Sequence, residues 1–563
     1  MTEPGISATL PVVEPAPLRQ PPASIREASA QRLVRWRIRL LLVSLAQITI
    51  AQLIVLLFLP SDARLFSVRV LCIAAVYLGA TPILAALMQY AIVGFHRLRA
   101  PYRRLRPYYP RTAIVVPAWN EGAVIGRTID QLLAMEYPAD RVRIVVVDDA
   151  STDETPAVVQ ARASEHPGRV VHLRREVGGQ GKAHTLNHGV QHVLSDAWAE
   201  AVMVMDADVL FEKDALRKMT RHLSDPRVGA VTAYIKEGTP NGNYLTRFIA
   251  YEYITAQATA RRAQNMLGVL ACLAGGAQLH ARESLEEIGG RIDASSLAED
   301  TVTTFRTQLA GKRVEFDGNA VVWAEEPSDV VGLWKQRLRW SRGNVQISLQ
   351  YASMWGKQRR TFGKLARLPF MLLWYTVVLM PVLMLGASVG LVTLWAIDAH
   401  DAWSAFRVLW IWHAVAYVFG TGISLAVDPQ TAKRSWREAI LFPGIISLLI
   451  MIYTVYPPIY DLTVVRWLRG AGYTVTEQGR SLLALFTYSW LFLCVPIAYL
   501  TKVWSESTRF KWLVPVTLYL VGYGPLLCAV TAAAYFKELF NARSIWDKTV
   551  KSGRVTIGAA STH

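Results

Sequence analysis

The chain has 563 residues, 52% hydrophobic and 18% charged, with a formal net charge of +17 and a mean hydropathy of +0.24. So much apolar side chain excludes a disordered or fibrous polypeptide. Cys72, Cys494 and Cys528 lie in apolar runs and Cys272 stands alone, which excludes a disulfide scaffold or a zinc-binding spacing. What remains is a membrane protein with a basic aqueous part, and the length is enough for several domains.

In chain order, residues 1–39 are polar, Pro-rich and basic, too long for a signal n-region, and read as a disordered tail at least over residues 1–30. Residues 40–59 carry no charge and are long enough to cross a ~30 Å hydrocarbon core. Residues 70–95 form a second such run, and the two make a hairpin covering 40–95. Arg19, Arg26, Arg32, Arg35, Arg37 and Arg39 precede it. Arg97, Arg99, Arg103, Arg104, Arg106 and Arg111 follow, while the intervening loop holds only Asp62 and Arg64. By the positive-inside rule both flanks, and the domain over 96–350, are cytosolic.

Within that domain, residues 112–117, 142–147, 170–173, 201–205 and 228–234 are short continuous apolar runs of the kind seen in covered strands. Residues 121–135, 155–166 and 183–194 have helical spacing. The alternation predicts a doubly wound α/β sheet, in which ligands bind at the carboxyl ends of strands. Acidic residues stand at two such ends.

Asp206 and Asp208 follow the fourth run. Two carboxylates one residue apart suit a hard cation, Mg²⁺ or Mn²⁺, whose remaining ligands come from a diphosphate; a solvated acidic turn is the plainer alternative. Asp148 and Asp149 end the second run and suit a nucleobase or ribose, or equally the capping of the next helix. The loop Gly178-Gly179-Gln180-Gly181-Lys182 lacks Walker A spacing but can still turn Lys182 toward a nucleotide. Glu299-Asp300 offers a general base or an N-cap. Gln336-Arg337-Leu338-Arg339-Trp340 offers guanidinium forks for phosphate and an apolar face for a sugar, or a juxtamembrane belt.

Apolar runs resume at 370–397, 408–427, 440–460, 481–501 and 512–536, in a predicted bundle over 351–537. A basic tail over 538–563 (Arg543, Lys548, Lys551, Arg554) and the basic stretch with Arg466, Arg469 and Arg480 are both cytosolic only if one run fails to cross. Residues 440–460, broken by Pro443-Gly444 and Pro457-Pro458, are the candidate for an interfacial or re-entrant segment. Six crossings in all is the expectation, with seven as the alternative.

Taken together and in order, Val116-Pro117-Ala118-Trp119-Asn120-Glu121, Asp148-Asp149-Ala150-Ser151, Lys182, Asp206-Ala207-Asp208, Glu299-Asp300 and Gln336-Arg337-Leu338-Arg339-Trp340 resemble the signature of family 2 inverting glycosyltransferases. The match narrows to the membrane-embedded processive branch of poly-N-acetylglucosamine, chitin, hyaluronan and cellulose synthases. Trp546-Asp547-Lys548-Thr549 looks like a motif of the poly-N-acetylglucosamine subgroup. Ala298 stands where cellulose synthases usually have Thr, and the stretch after residue 536 is short for a regulatory domain, which disfavours cellulose. Hyaluronan synthases usually show a different acidic motif at the base position.

The resemblance implies a GT-A α/β fold and inverting β-transfer from a UDP-sugar, UDP-GlcNAc ahead of UDP-glucose, to a growing polysaccharide that is exported. It implies uridine contact at Asp149 with Asn120, Glu121 and Asp148 nearby, and nucleotide contact at Lys182. It places a Mg²⁺ or Mn²⁺ site at Asp206 and Asp208 and the general base at Asp300, beside Glu299. Gln336, Arg337, Arg339 and Trp340 would close over diphosphate and acceptor. A non-processive transfer to a lipid-linked acceptor is the alternative. The bilayer of the inner membrane is an expected partner, as are accessory export subunits or a second copy of the chain. The +17 then marks membrane topology first, and nucleic acid is not expected as a partner.

Overall fold

In a computed structural model, the described residues are 61–99, 102, 105–239, 242–355, 363–472 and 476–540, with single positions 47, 542 and 555. The predicted span 40–59, the N-terminal tail and the motif Trp546–Thr549 lie outside them.

Strands β1 (Thr112–Ala118), β2 (Val142–Asp148), β3 (Val170–Arg174) and β4 (Ala201–Val204) coincide closely with the apolar runs. The Val and Ile side chains of β1, β2 and β4 are buried on both faces, so continuous apolar sequence, not alternation, is what they need. β5 (Leu210–Phe211), β6 (Val228–Glu237), β7 (Gln278–Ala281) and β8 (Arg313–Ala324) complete one eight-stranded sheet in the order β3-β2-β1-β4-β7-β6-β8-β5.

Helices cover both faces of the sheet, in keeping with the doubly wound expectation, and the sheet is mixed. β7 runs antiparallel to both β4 and β6, and β5 is antiparallel to β8. The reversal has a consequence for the site. Gln278, the first residue of β7, pairs with Val204, the last of β4. The Gly275-Gly276 turn before β7 is thereby delivered to the sheet edge from which Asp206 and Asp208 emerge. Thr232 of β6 fixes that turn, donating to the Ala277 carbonyl at 2.8 Å and accepting from Ala274 N at 2.9 Å. The domain is thus a mixed α/β sheet joined to apolar helices.

Helix Val330–Gln350 carries the Gln-Arg-Leu-Arg-Trp run between sheet and membrane helices. Gly343 lets it approach the helix Glu299–Leu309, because a Cβ there would stand 2.5 Å from the Ala298 Cβ.

Among the described residues, Leu65–His96, Met380–Ile397, Ala399–Val427 and Glu477–Glu506 are long and apolar enough to cross a membrane. A fifth candidate is the pair Leu513–Val521 and Tyr523–Leu539, bent by 97°. The run 370–397 divides into Leu368–Val378 and Met380–Ile397, with Pro381 in the first turn of the second helix. Pro381 has no N–H to continue the earlier helix. Within 440–460 the helix Ile445–Val455 has 11 residues, about 16 Å at 1.5 Å per residue and short of a ~30 Å core.

Sequence reading found the break at Gly444 but took 512–536 as continuous. In the structure the two breaks pack on each other. Gly522 has φ +106°, and a Cβ on it would come within 2.8 Å of Gly444 N. Tyr523 N, left without an intrahelical partner, donates to the Phe442 carbonyl at 3.0 Å. Broken backbone in an apolar setting needs such internal partners.

Candidate active site

The carboxyl ends of β1, β2 and β4, the turn before β7, the start of Glu299–Leu309 and one face of Val330–Gln350 enclose a cavity of about 750 Å³. Its wall includes Glu121, Asp149, Lys182, Asp206, Asp208, Glu299, Asp300, Gln336, Arg339 and Trp340. Asn120, Asp148 and Arg337 belong to the same motifs but are not on that wall.

Asp148 is fully buried and accepts from Ser151 N at 2.8 Å and from Arg174 at 3.0 Å. It fixes the turn after β2 and does not cap the next helix, which begins only at Thr155. Asn120 sits at φ +52° and ties neighbouring loops together, its side chain accepting from Thr152 N at 2.9 Å. Asp149 differs in reaching the cavity. It accepts from Gly179 N at 3.0 Å and pairs with Arg175, so it anchors the glycine-rich loop while still facing the cavity.

That loop ends at Gly181, and Lys182 begins the helix Lys182–Leu194. Lys182 Nζ pairs with Asp206 Oδ1, lies 3.9 Å from Glu299 and donates to the Gly275 carbonyl at 3.4 Å. Burial works against its charge, but Asp206 and Glu299 more than offset that and raise its pKa. Burial raises the Glu299 carboxyl, with Lys182 opposing. Asp300 accepts from Thr301 N at 2.7 Å through Oδ1. Its Oδ2 and Lys182 Nζ converge over Gly275, at 3.3 and 3.5 Å from where a Cβ there would stand.

Asp206 and Asp208 are the carboxylates on this wall that would hold a cation. Among the described residues no group of three or more His, Cys, Asp or Glu side chains is arranged to hold one. With Oδ1 given to Lys182, Asp206 turns Oδ2 toward Gly276. An incomplete, all-oxygen set on the wall of a large cavity fits a divalent ion whose other ligands are phosphate oxygens and water.

On the opposite wall Gln336 donates to Glu326 at 3.0 Å, and Tyr253 donates to the other oxygen of the same carboxylate at 2.6 Å. Arg337 is not on the wall itself, but it pairs with Glu252 at 2.8 Å and stacks on the Trp340 ring at 4.1 Å, and both of these residues are. Burial disfavours its charge; Glu252, Tyr253 and further neighbours outweigh this and hold the guanidinium well above its usual range.

Sequence reading missed Glu252, Tyr253, Arg261, Cys272, Gly275, Glu325 and Glu326, all near or on this wall. The Gly275-Gly276 and Glu325-Glu326 pairs were visible signals. Glu252 and Arg261 lie on a helical stretch, Tyr244–Leu267, whose middle is π-helical, and carried no motif.

Comparison with known proteins shows what this stretch of chain is similar to. A family profile described as "Glycosyltransferase like family 2" matches residues 110–343. The probable glycosyltransferase YdaM of Bacillus subtilis is 31% identical over 268 residues, 47% of this chain and 63% of that protein. The beta-monoglucosyldiacylglycerol synthase of Synechocystis is 33% identical over 244 residues, 43% and 50%. The poly-beta-1,6-N-acetyl-D-glucosamine synthase of Staphylococcus epidermidis is 28% identical over 243 residues, 42% and 55%. The chain therefore spans between half and two thirds of the length of these relatives. Among solved structures, the mannosyltransferase PcManGT of Pyrobaculum calidifontis, in complex with GDP-Man and Mn²⁺, overlaps 70% of this chain and 99% of its own at 24% identity, with a TM-score of 0.46.

Proposed function

From the premise that residues 110–343 form a family 2 glycosyltransferase domain, we propose that the protein transfers a sugar from a UDP-sugar, UDP-GlcNAc first, to the end of a growing β-linked polysaccharide. The domain would face the cytosol, and the product would leave through the inner-membrane helices that adjoin it. The observation that supports this reading is the convergence of Asp149, Lys182, Asp206, Asp208, Asp300, Arg339 and Trp340 on one cavity.

Asp300 takes the proton from the acceptor hydroxyl. The hydroxyl oxygen attacks the anomeric carbon, and the bond from that carbon to the diphosphate breaks with inversion. Negative charge develops on the leaving diphosphate. Arg339 and Lys182, both on the cavity wall, offset it with preorganised positive charge. A divalent cation bound at Asp206 and Asp208, Mg²⁺ or Mn²⁺, would supply further neutralisation there. Trp340 gives the acceptor sugar an apolar platform, and Asp149 meets the uridine side.

A second reading, transfer to a lipid, draws on the likeness to the beta-monoglucosyldiacylglycerol synthase. Product size separates the two. Purified full-length protein is incubated with labelled UDP-sugars and Mg²⁺ or Mn²⁺, with and without diacylglycerol. Long polymer supports the first reading; a single sugar on lipid supports the second; no sugar-dependent UDP release from any donor defeats both. Asp300→Asn should cut turnover by a factor on the order of 10²–10⁴, the range of general-base catalysis, while UDP binding persists.

A further inference from the structure

Of the two arginines in Gln336-Arg337-Leu338-Arg339-Trp340, Arg339 is on the cavity wall and Arg337 is not. Arg337 is 4% exposed, and its Nε and Nη1 have no hydrogen-bond partner. Its bonded nitrogen, Nη2, meets Glu252 Oε2, and the same oxygen accepts from the Tyr523 hydroxyl at 2.7 Å. Tyr523 is fully buried and is the first residue after the 97° bend. Its ring stacks on Phe248 at 5.4 Å and 7°, and Phe248 sits one turn before Glu252 on the same helix. One turn back on the other arm of the bend, Tyr519 repeats the arrangement. It donates to buried Glu438 at 3.1 Å, which also binds Arg247 at 2.8 Å.

We propose that Arg337, Glu252 and Tyr523 form a positioning unit that fixes Trp340 through the stacked guanidinium and links the acceptor wall to the bend at Gly522. Arg337 then acts through Trp340 and not by touching the diphosphate. This rests on the glycosyltransferase reading above. Two properties favour it. A buried Arg–Glu pair is costly to break, so it holds the helix face presented to the cavity. A Tyr–Glu bond at the bend couples the angle between its two arms to the position of Trp340, since moving either end breaks a hydrogen bond or ion pair of the same buried carboxylate.

The test uses full-length protein in detergent, with UDP plus Mg²⁺ for binding and the best donor sugar for kinetics. Tyr523→Phe and Arg337→Lys are compared with Arg339→Met. Expected are UDP affinities within ~2-fold of wild type for the first two and a fall in kcat of ~10-fold or more, since a small misplacement of a group is enough for such a loss. Arg339→Met should instead weaken UDP binding. In Glu252→Gln combined with Arg337→Met, the loss should not exceed that of the worse single change, because the two act as one unit. If Arg337→Lys weakens UDP as much as Arg339→Met, Arg337 is a direct ligand and the proposal fails. It fails too if Tyr523→Phe leaves kcat unchanged, and that variant decides alone should Arg337→Lys elute as aggregate. Wild-type protein that binds UDP but turns over no donor overturns the proposed function instead, and the binding comparison between the two arginines stays readable.

Discussion

Glu237, the last residue of β6, gives a prediction whose size follows from its surroundings. It is 5% exposed and accepts from Thr239 N at 2.7 Å. Burial pushes its carboxyl from 4.5 to about 7, with Thr239 and Arg434 opposing and Glu326 adding. Because the folded state holds the acid above its unfolded value, the protonated form favours folding. That advantage is complete below pH 4.5 and is lost as pH rises through about 7. The interval at ~1.4 kcal/mol per pH unit comes to about 3 kcal/mol.

Glu237→Gln removes the titration and keeps an oxygen for Thr239 N. The variant should match wild type near pH 4.5 and exceed it at pH 8.5 by about 3 kcal/mol, read as a Tm offset that opens between those pH values. The assay is thermal unfolding of both proteins in one detergent across the range. An offset independent of pH, or a wild type that gains on the variant as pH rises, would refute the assignment. The site has a stake in the answer. Glu326 binds Gln336 and Tyr253 at the cavity wall, and a neutral Glu237 spares it a like charge.

Asp208→Ala should abolish divalent-dependent UDP release, and excess chelator should do the same to wild type; full turnover under either condition rejects the cation site. Trp340→Ala should raise the acceptor KM while UDP affinity stays within ~2-fold, as expected when an acceptor platform alone is removed. Equal loss of donor and acceptor binding contradicts that role.

Much of the site was legible because strand ends and ligand chemistry coincide. An apolar run that stops at Asp148-Asp149 or Asp206-Ala207-Asp208 announces where a sheet edge opens, and Lys182 follows glycines that only a tight turn requires. Roles were harder to read than positions. Asp148 and Asp149 are adjacent, yet one is buried under Arg174 and the other reaches the cavity. Arg337 and Arg339 are two apart on a helix, about 200° around its axis at 3.6 residues per turn. They must face differently, and periodicity does not say which of them meets the cavity.

The residues by themselves determined the separation of the chain into apolar helices and a mixed-polarity α/β domain, the four parallel strands, and the break at Pro443-Gly444. These are local properties of hydrophobic periodicity, charge and backbone stiffness. Tertiary structure decided the rest. It reversed β7 so that Gly275 meets Lys182 and Asp300, bent the last apolar run at Gly522 against Gly444, and joined Glu252 to both Arg337 and Tyr523. Those contacts bring together groups far apart in the chain. Their geometry is set by which buried charges and backbone donors find partners, and no single stretch of sequence contains that information.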